Sequence, residues 1–144
     1  MSNGFSQHGI EHLSASSLNL WAAEPAVWAM ERLLGHRSPP SALMARGKAA
    51  EHGVHAGLLD PTLAVEECSA QAVTAFDREM ALIPDDRSDS ERLLIPGYVE
   101  HSLGELRQYG VPSAYQDRIE LRLDDVPVPL IGFIDWRFDN HGLI

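Results

Sequence analysis

The order of apolar residues points to a domain of the α/β (α+β) class, with N-terminal helices packed on a mixed β-sheet. Two observations carry this. From Leu13 to Tyr109 apolar residues recur at helical spacing, and after Gly110 the period switches to strict alternation. A third agrees with them: 144 residues, 44% of them hydrophobic and 22% charged, are enough to bury a core without staples. Cys68 is the only cysteine, which excludes an intramolecular disulfide, a four-cysteine zinc site and a cysteine-bound iron-sulfur cluster.

The elements follow in order. Ser14, Ser16 and Ser17 offer N-cap oxygens to a first helix, and Leu18, Trp21, Val27, Trp28, Leu33 and Leu34 supply its apolar spacing. Pro25 should divide this stretch into a short helix and a second one ending at Gly35, a suitable C-cap. After the linker HRSPP, Pro40 is expected in the first turn of a helix rich in small residues that runs to about Asp60. A third long helix is predicted over Leu63 to Ile83, with Val65, Ala72, Val73, Phe76, Met80 and Ile83 on one face. Pro84 and the polar run DDRSDS form the best loop candidate, and a fourth helical stretch from Glu91 to Tyr109 should be interrupted at Ile95 to Gly97.

Beyond Gly110, AYQDRIELRL from Ala114 to Leu123 sets Ile119, Leu121 and Leu123 on one face and Arg118, Glu120 and Arg122 on the other. DDVPV is a turn. PLIGFIDWRFD is a second strand, with Ile131, Phe133 and Asp135 on one side and Ile134, Trp136 and Phe138 on the other. DNHG then offers a reversal, and Leu143 and Ile144 would begin a third strand. The expected organisation is a single unit over residues 1–144, helical over 13–109 and a β-hairpin over 114–139.

Charge and hydropathy set outer bounds. No apolar run approaches the roughly 18 to 20 residues that span a bilayer, and the first dozen residues lack the features of a signal peptide, so a cytoplasmic protein without a membrane partner is expected. The net charge of −10 is uneven: residues 51–100 carry −8, whereas residues 31–50, with Arg32, Arg37, Arg46 and Lys48, carry +3. An acidic chain argues against indiscriminate coating of polyanions, yet leaves room for a local basic groove.

Few residues invite chemistry. Asp135 stands in the apolar strand GFIDW, where a buried carboxylate needs a metal or an ion-pair partner; Arg137, Arg118 or solvent at a sheet edge would also satisfy it. Glu120, on the neighbouring strand, is expected across from Asp135, and two close carboxylates attract a divalent cation. In GKAAEH the small residues Gly47, Ala49 and Ala50 allow another element to approach. His52 and His55, one turn apart, would share a face as a metal pair or serve as ordinary surface or core histidines. Cys68 reads as a small buried hydrophobe. There is no glycine-rich phosphate loop, nucleophile elbow or Ser-His-Asp spacing.

Three segments in order, LSASSLNLWAAEPAVWAMERLLG, MARGKAAEH and IELRLDDVPVPLIGFIDWRFDNHGLI, resemble the RecB-type branch of the PD-(D/E)XK nuclease superfamily from Leu13 to Ile144. The resemblance implies a restriction-endonuclease-like core and Mg²⁺- or Mn²⁺-dependent hydrolysis of DNA in repair, recombination or phage DNA processing. It makes His52 the helical histidine that ligates metal, Asp135 the principal metal carboxylate and Gly132 the glycine before it, and Glu120 the strand glutamate of the catalytic group. Arg46 and Lys48 would meet DNA phosphates, and a helicase or recombinase is the implied protein partner.

Two departures accompany it. Glu24 stands where cluster-bearing members have a cysteine before the proline, so no iron-sulfur cluster is expected. The family's (D/E)-x-K would fall directly after Ile144, so the 144 residues are expected to be the N-terminal part of the domain, with the core cut after its second strand and inactive alone. Two other classes remain open: a non-catalytic, nuclease-derived module that binds DNA or protein, and an unrelated helical interaction domain.

Overall fold

The computed structural model describes residues 4–141 and has the mixed α+β character predicted for it. The chain forms two compact units. Of the described residues, one comprises 4–39 together with Ala114–Arg137, and the other comprises Pro40–Ser113 together with 138–141.

The first unit contains all the strands of the described residues. A short helix α1 (Gly4–Gln7) precedes a two-residue strand β1 (Leu13–Ser14), then come α2 (Ala15–Ala23) and α3 (Pro25–Arg32), and the hairpin β2 (Ala114–Leu121) and β3 (Leu130–Arg137) completes it. The sheet order is β1-β3-β2, with β1 parallel and β2 antiparallel to β3. Ser14 caps α2 as its position suggested, its Oγ accepting from the Ser17 N–H at 3.2 Å. The predicted division falls at Glu24, and Pro25 opens α3 at a position where the missing N–H has no intrahelical partner to lose. Leu13, Trp28 and Val128 form the buried centre, with Phe5, Leu20, Leu33 and Leu130 against it. The Trp28 indole donates to the buried Ser17 hydroxyl at 2.8 Å, so its polar edge stays satisfied inside.

The expected apolar face of the first two helices is only partly buried. Trp28 is covered, whereas Leu18, Trp21 and Leu34 are exposed, Trp21 leaning edge-on against Trp28 at 5.1 Å between ring centroids. Ile119, Leu121 and Leu123, predicted to share one face, are also exposed. Alternation sets which residues point the same way; burial requires a covering layer as well.

The second unit is built on three helices, α4 (Ala42–Leu59), α5 (Val65–Met80) and α6 (Ser88–Leu106), each packed on the other two. Ser41, and not a residue of the first turn, caps α4, so Pro40 lies just before the helix. Small residues let α4 approach its neighbours: Ala42, Ala45, Ala49, Gly53 and Gly57 are buried with Val54 and Leu58. Cys68, Ala72 and Phe76 form the buried stripe of α5, and Cys68 is the small buried hydrophobe expected. The interruption predicted at Ile95 to Gly97 does not occur. Pro96 lies on the exposed side of a continuous α6, while Ile95, Val99 and Leu103, four residues apart, are fully buried. Packing of that stripe outweighs the single hydrogen bond that proline removes. Arg107, just past α6, donates to the carbonyls of Gly57 (3.2 Å) and Leu63 (2.7 Å) and so ties down the α4–α5 connection. Tyr109 packs on Phe138 and His141, the last residue of a 3-10 turn (Asp139–His141) that covers the described part of the DNHG segment. The strand expected at Leu143 and Ile144 lies outside the described residues.

Part of the polar run after Pro84 is structural. Asp85 Oδ2 accepts from the Ala42 N–H at 2.8 Å, capping α4 from 43 residues away, and its carboxylate also accepts from the Arg87 guanidinium. The Arg87 side chain first, then the two main-chain N–H donors, hold the Asp85 carboxyl far below the ordinary range. Because the folded-state value is depressed, this contribution is present above the ordinary aspartate pKa of about 4 and is lost as pH falls below it. Thermal unfolding followed from pH 6 downward should show the midpoint dropping below about pH 4, and Asp85→Asn should flatten that drop. Parallel curves for the two proteins would remove Asp85 from the account.

Candidate functional site

Asp135 belongs to the sheet unit and His52 to the helical unit. In β3 the alternation holds, and the register places Asp117 opposite Ile134 and Tyr115 opposite Trp136, which sets Gln116 across from Asp135. Gln116 Nε2 donates to Asp135 Oδ1 at 3.0 Å, and Gln116 itself has φ +51°, a left-handed conformation uncommon for a residue with a side chain. The carboxylate is exposed, so the desolvation cost that the apolar strand implied does not arise. Neither arginine suggested as its partner serves it. Arg137 pairs with Asp117, and Arg118 pairs with Glu120. Among the described residues Asp135 Oδ2 has no hydrogen-bond donor.

Glu120 corrects an expectation. It lies opposite Ile131 and not opposite Asp135. Four residues of β3 separate Ile131 from Asp135, about 13 Å along a strand, too far for the two carboxylates to share one ion. Both Glu120 oxygens are occupied, Oε2 by Arg118 at 2.8 Å and Oε1 by Arg122 at 2.7 Å. Arg118 above all, with Arg122, holds this carboxyl below its ordinary range.

His52 is exposed on α4 and lines a groove of about 350 Å³ with Gln71, Thr74 and Arg78. His55, one turn on, is half-buried; burial first, and the neighbouring His52 second, push its pKa below the usual imidazole value. Among the described residues no group of three or more His, Cys, Asp or Glu side chains is gathered as a metal cluster.

The two basic residues of this helix differ. Arg46 is drawn inward, pairing with Glu91 at 2.5 Å and lying 4.8 Å over the Tyr98 ring, so its charge is spent joining α4 to α6. Lys48 is exposed and pairs with Glu79 at 2.8 Å, a contact that water and salt weaken. Sequence reading missed Gln116, the residue that orients Asp135. Counting back through the hairpin from a fixed register would have found it, but the eight-residue connection between β2 and β3 leaves that register open.

No family model, curated protein or solved structure matches this chain. No helix among the described residues is long and apolar enough to cross a membrane.

Proposed function

We propose that this chain contributes to a metal-dependent DNA nuclease, with Asp135 as a metal carboxylate. The observation that carries the reading is the state of that side chain: exposed, oriented through one oxygen by Gln116, and with the other oxygen unoccupied among the described residues. Such an oxygen suits a hard cation such as Mg²⁺ or Mn²⁺. Glu120 does not suit a ligand role while two guanidinium groups hold it. When bound, the metal would polarise a phosphodiester and lower the pKa of an attacking water. Asp135 would fix its position, and Gln116 would fix Asp135. Lys48 is the better phosphate contact of the two basic residues proposed, because Arg46 is already neutralised.

Calorimetric titration with Mn²⁺ tests the ligands one at a time. Asp135→Asn is expected to weaken binding at least about tenfold, whereas Glu120→Gln should change it little. Wild-type affinity in Asp135→Asn rejects the metal site. In a C-terminally extended protein that cuts linear DNA with Mn²⁺, the cutting should disappear in Asp135→Ala, and cleavage that survives this substitution overturns the nuclease reading.

The ion pairs of Glu120 and Arg46 favour a second reading, a nuclease-derived module that binds DNA or protein without cutting. Its signature is DNA retention that neither Mn²⁺ nor Asp135→Asn alters.

A further inference from the structure

A separate cavity of about 280 Å³ lies wholly within the sheet unit, between the segment before β1 and the end of α3. Four nitrogen-bearing side chains line it: His8, His12, Arg32 and Arg37. None of the four has a hydrogen-bond or ion-pair partner among the described residues, although six other arginines, Arg46, Arg87, Arg92, Arg118, Arg122 and Arg137, are each paired with a carboxylate. Arg32 Nε is moreover buried without an acceptor. A buried donor left unmet is unfavourable, so Arg32 Nε stands ready for an acceptor that the described residues do not supply.

The carboxylates beside it do not meet that need. Glu31 Oε1 accepts from the Ser38 hydroxyl at 2.8 Å and from the Ser38 N–H at 3.4 Å. Those bonds, together with the nearby charges of Arg32 and Arg37, hold Glu31 below the ordinary carboxylate range and hence ionised. Glu11 lines the cavity and has no hydrogen-bond or ion-pair partner among the described residues. Two acids offset two arginines at long range, so affinity here must come from contact geometry, which is where a planar guanidinium fork excels over a point charge. The wall is already set: Ser17, whose oxygen accepts from Trp28, is buried in the core and fixes both residues at the cavity edge. At roughly 30 Å³ per water the space equals about nine waters, room for one tetrahedral oxyanion with part of its hydration.

We infer that this cavity is a binding site for a phosphate group, held by the Arg32 and Arg37 guanidinium groups with His8 and His12 as further donors. It is independent of the metal-site proposal, sharing no residue with it. The site accepts free phosphate or the terminal group of a phosphomonoester, since the same donors meet either.

The test is titration of the full chain with inorganic phosphate and, in parallel, methyl phosphate, at constant ionic strength set with chloride. Heat is read by calorimetry, and the Trp28 indole N–H resonance serves as a local reporter. Saturable millimolar binding that shifts this resonance is expected. Arg32→Gln and Arg37→Gln should each weaken it about tenfold or more, while Arg122→Gln, outside the cavity, should leave it unchanged. Arg37 is exposed, so its substitution keeps the test valid even if Arg32→Gln lowers stability. Tighter binding of methyl phosphate marks an ester as the natural occupant, and tighter binding of inorganic phosphate marks the free ion. A response that chloride reproduces, the absence of saturation, or wild-type affinity in Arg37→Gln overturns the inference.

Discussion

Phe76→Ala should lower the unfolding free energy of the helical unit by about 3 to 5 kcal/mol. The ring is fully buried in the stripe that α5 turns inward with Cys68 and Ala72. Its removal forfeits the transfer free energy of a large aromatic side chain and leaves a cavity that three helices packed in contact can collapse only partly. Against a total stability of about 5 to 15 kcal/mol for a typical domain, the loss is large enough to unfold a marginal one. Urea denaturation followed by helical circular dichroism measures it as a lower midpoint at unchanged slope. Phe76→Leu, which keeps most of the volume, should be much milder. A loss below about 1 kcal/mol for the alanine variant would place Phe76 outside the core.

Gly53→Ala and Gly47→Ala should move stability in opposite directions although they lie in one helix. Replacing an interior glycine by alanine favours the helix by about 1 kcal/mol at either position. At Gly47 nothing lies within 4 Å of the added methyl, so the gain should appear almost whole. At Gly53 the new Cβ would lie 2.6 Å from the Cys68 carbonyl oxygen and 2.8 Å from the Ala72 Cβ. The first of these atoms is main chain inside α5 and cannot rotate aside. Relieving the overlap means separating α4 from α5, an overpacking penalty of about 3 kcal/mol that leaves a net loss near 2 kcal/mol. Gly57→Ala should fall between, because a Cβ there meets the Cys68 Sγ and the terminal carbons of Leu103, which can adjust. Thermal melts of the three variants give the ranking directly. Stabilisation by Gly53→Ala would mean that α4 and α5 are not in the close contact described.

Local signals were read well where a few neighbouring residues decide the outcome. Ser14 caps α2, Pro25 divides α2 from α3, and the alternating run from Ala114 is a strand, each because the relevant hydrogen bonds and steric limits act over a turn or less. Pro96 shows where such reasoning fails. Its local preference is to break a helix, and only the buried stripe of Ile95, Val99 and Leu103, formed against α4 and α5, keeps α6 whole.

The candidate site divides the same way. Asp135 is conspicuous in the sequence because a carboxylate in an apolar strand demands explanation. That it is exposed and held by Gln116, that Glu120 is claimed by two arginines, and that Arg46 turns inward to Glu91 and Tyr98 depend on which strand register and helix faces meet. The cavity around Arg32 is of this kind too, since its lining comes from segments that only the folded unit brings together.

The α+β character, the division at Pro25 and the change from helices to a hairpin after Gly110 are legible in the chain, because they follow from backbone sterics, caps and hydrophobic period, whereas α1 and the two-residue strand β1 are not. The tertiary structure alone decided the parallel pairing of β1 with β3, the burial of one face over another and the partner of each charge. These rest on contacts between residues distant in the chain, whose energies no local pattern encodes.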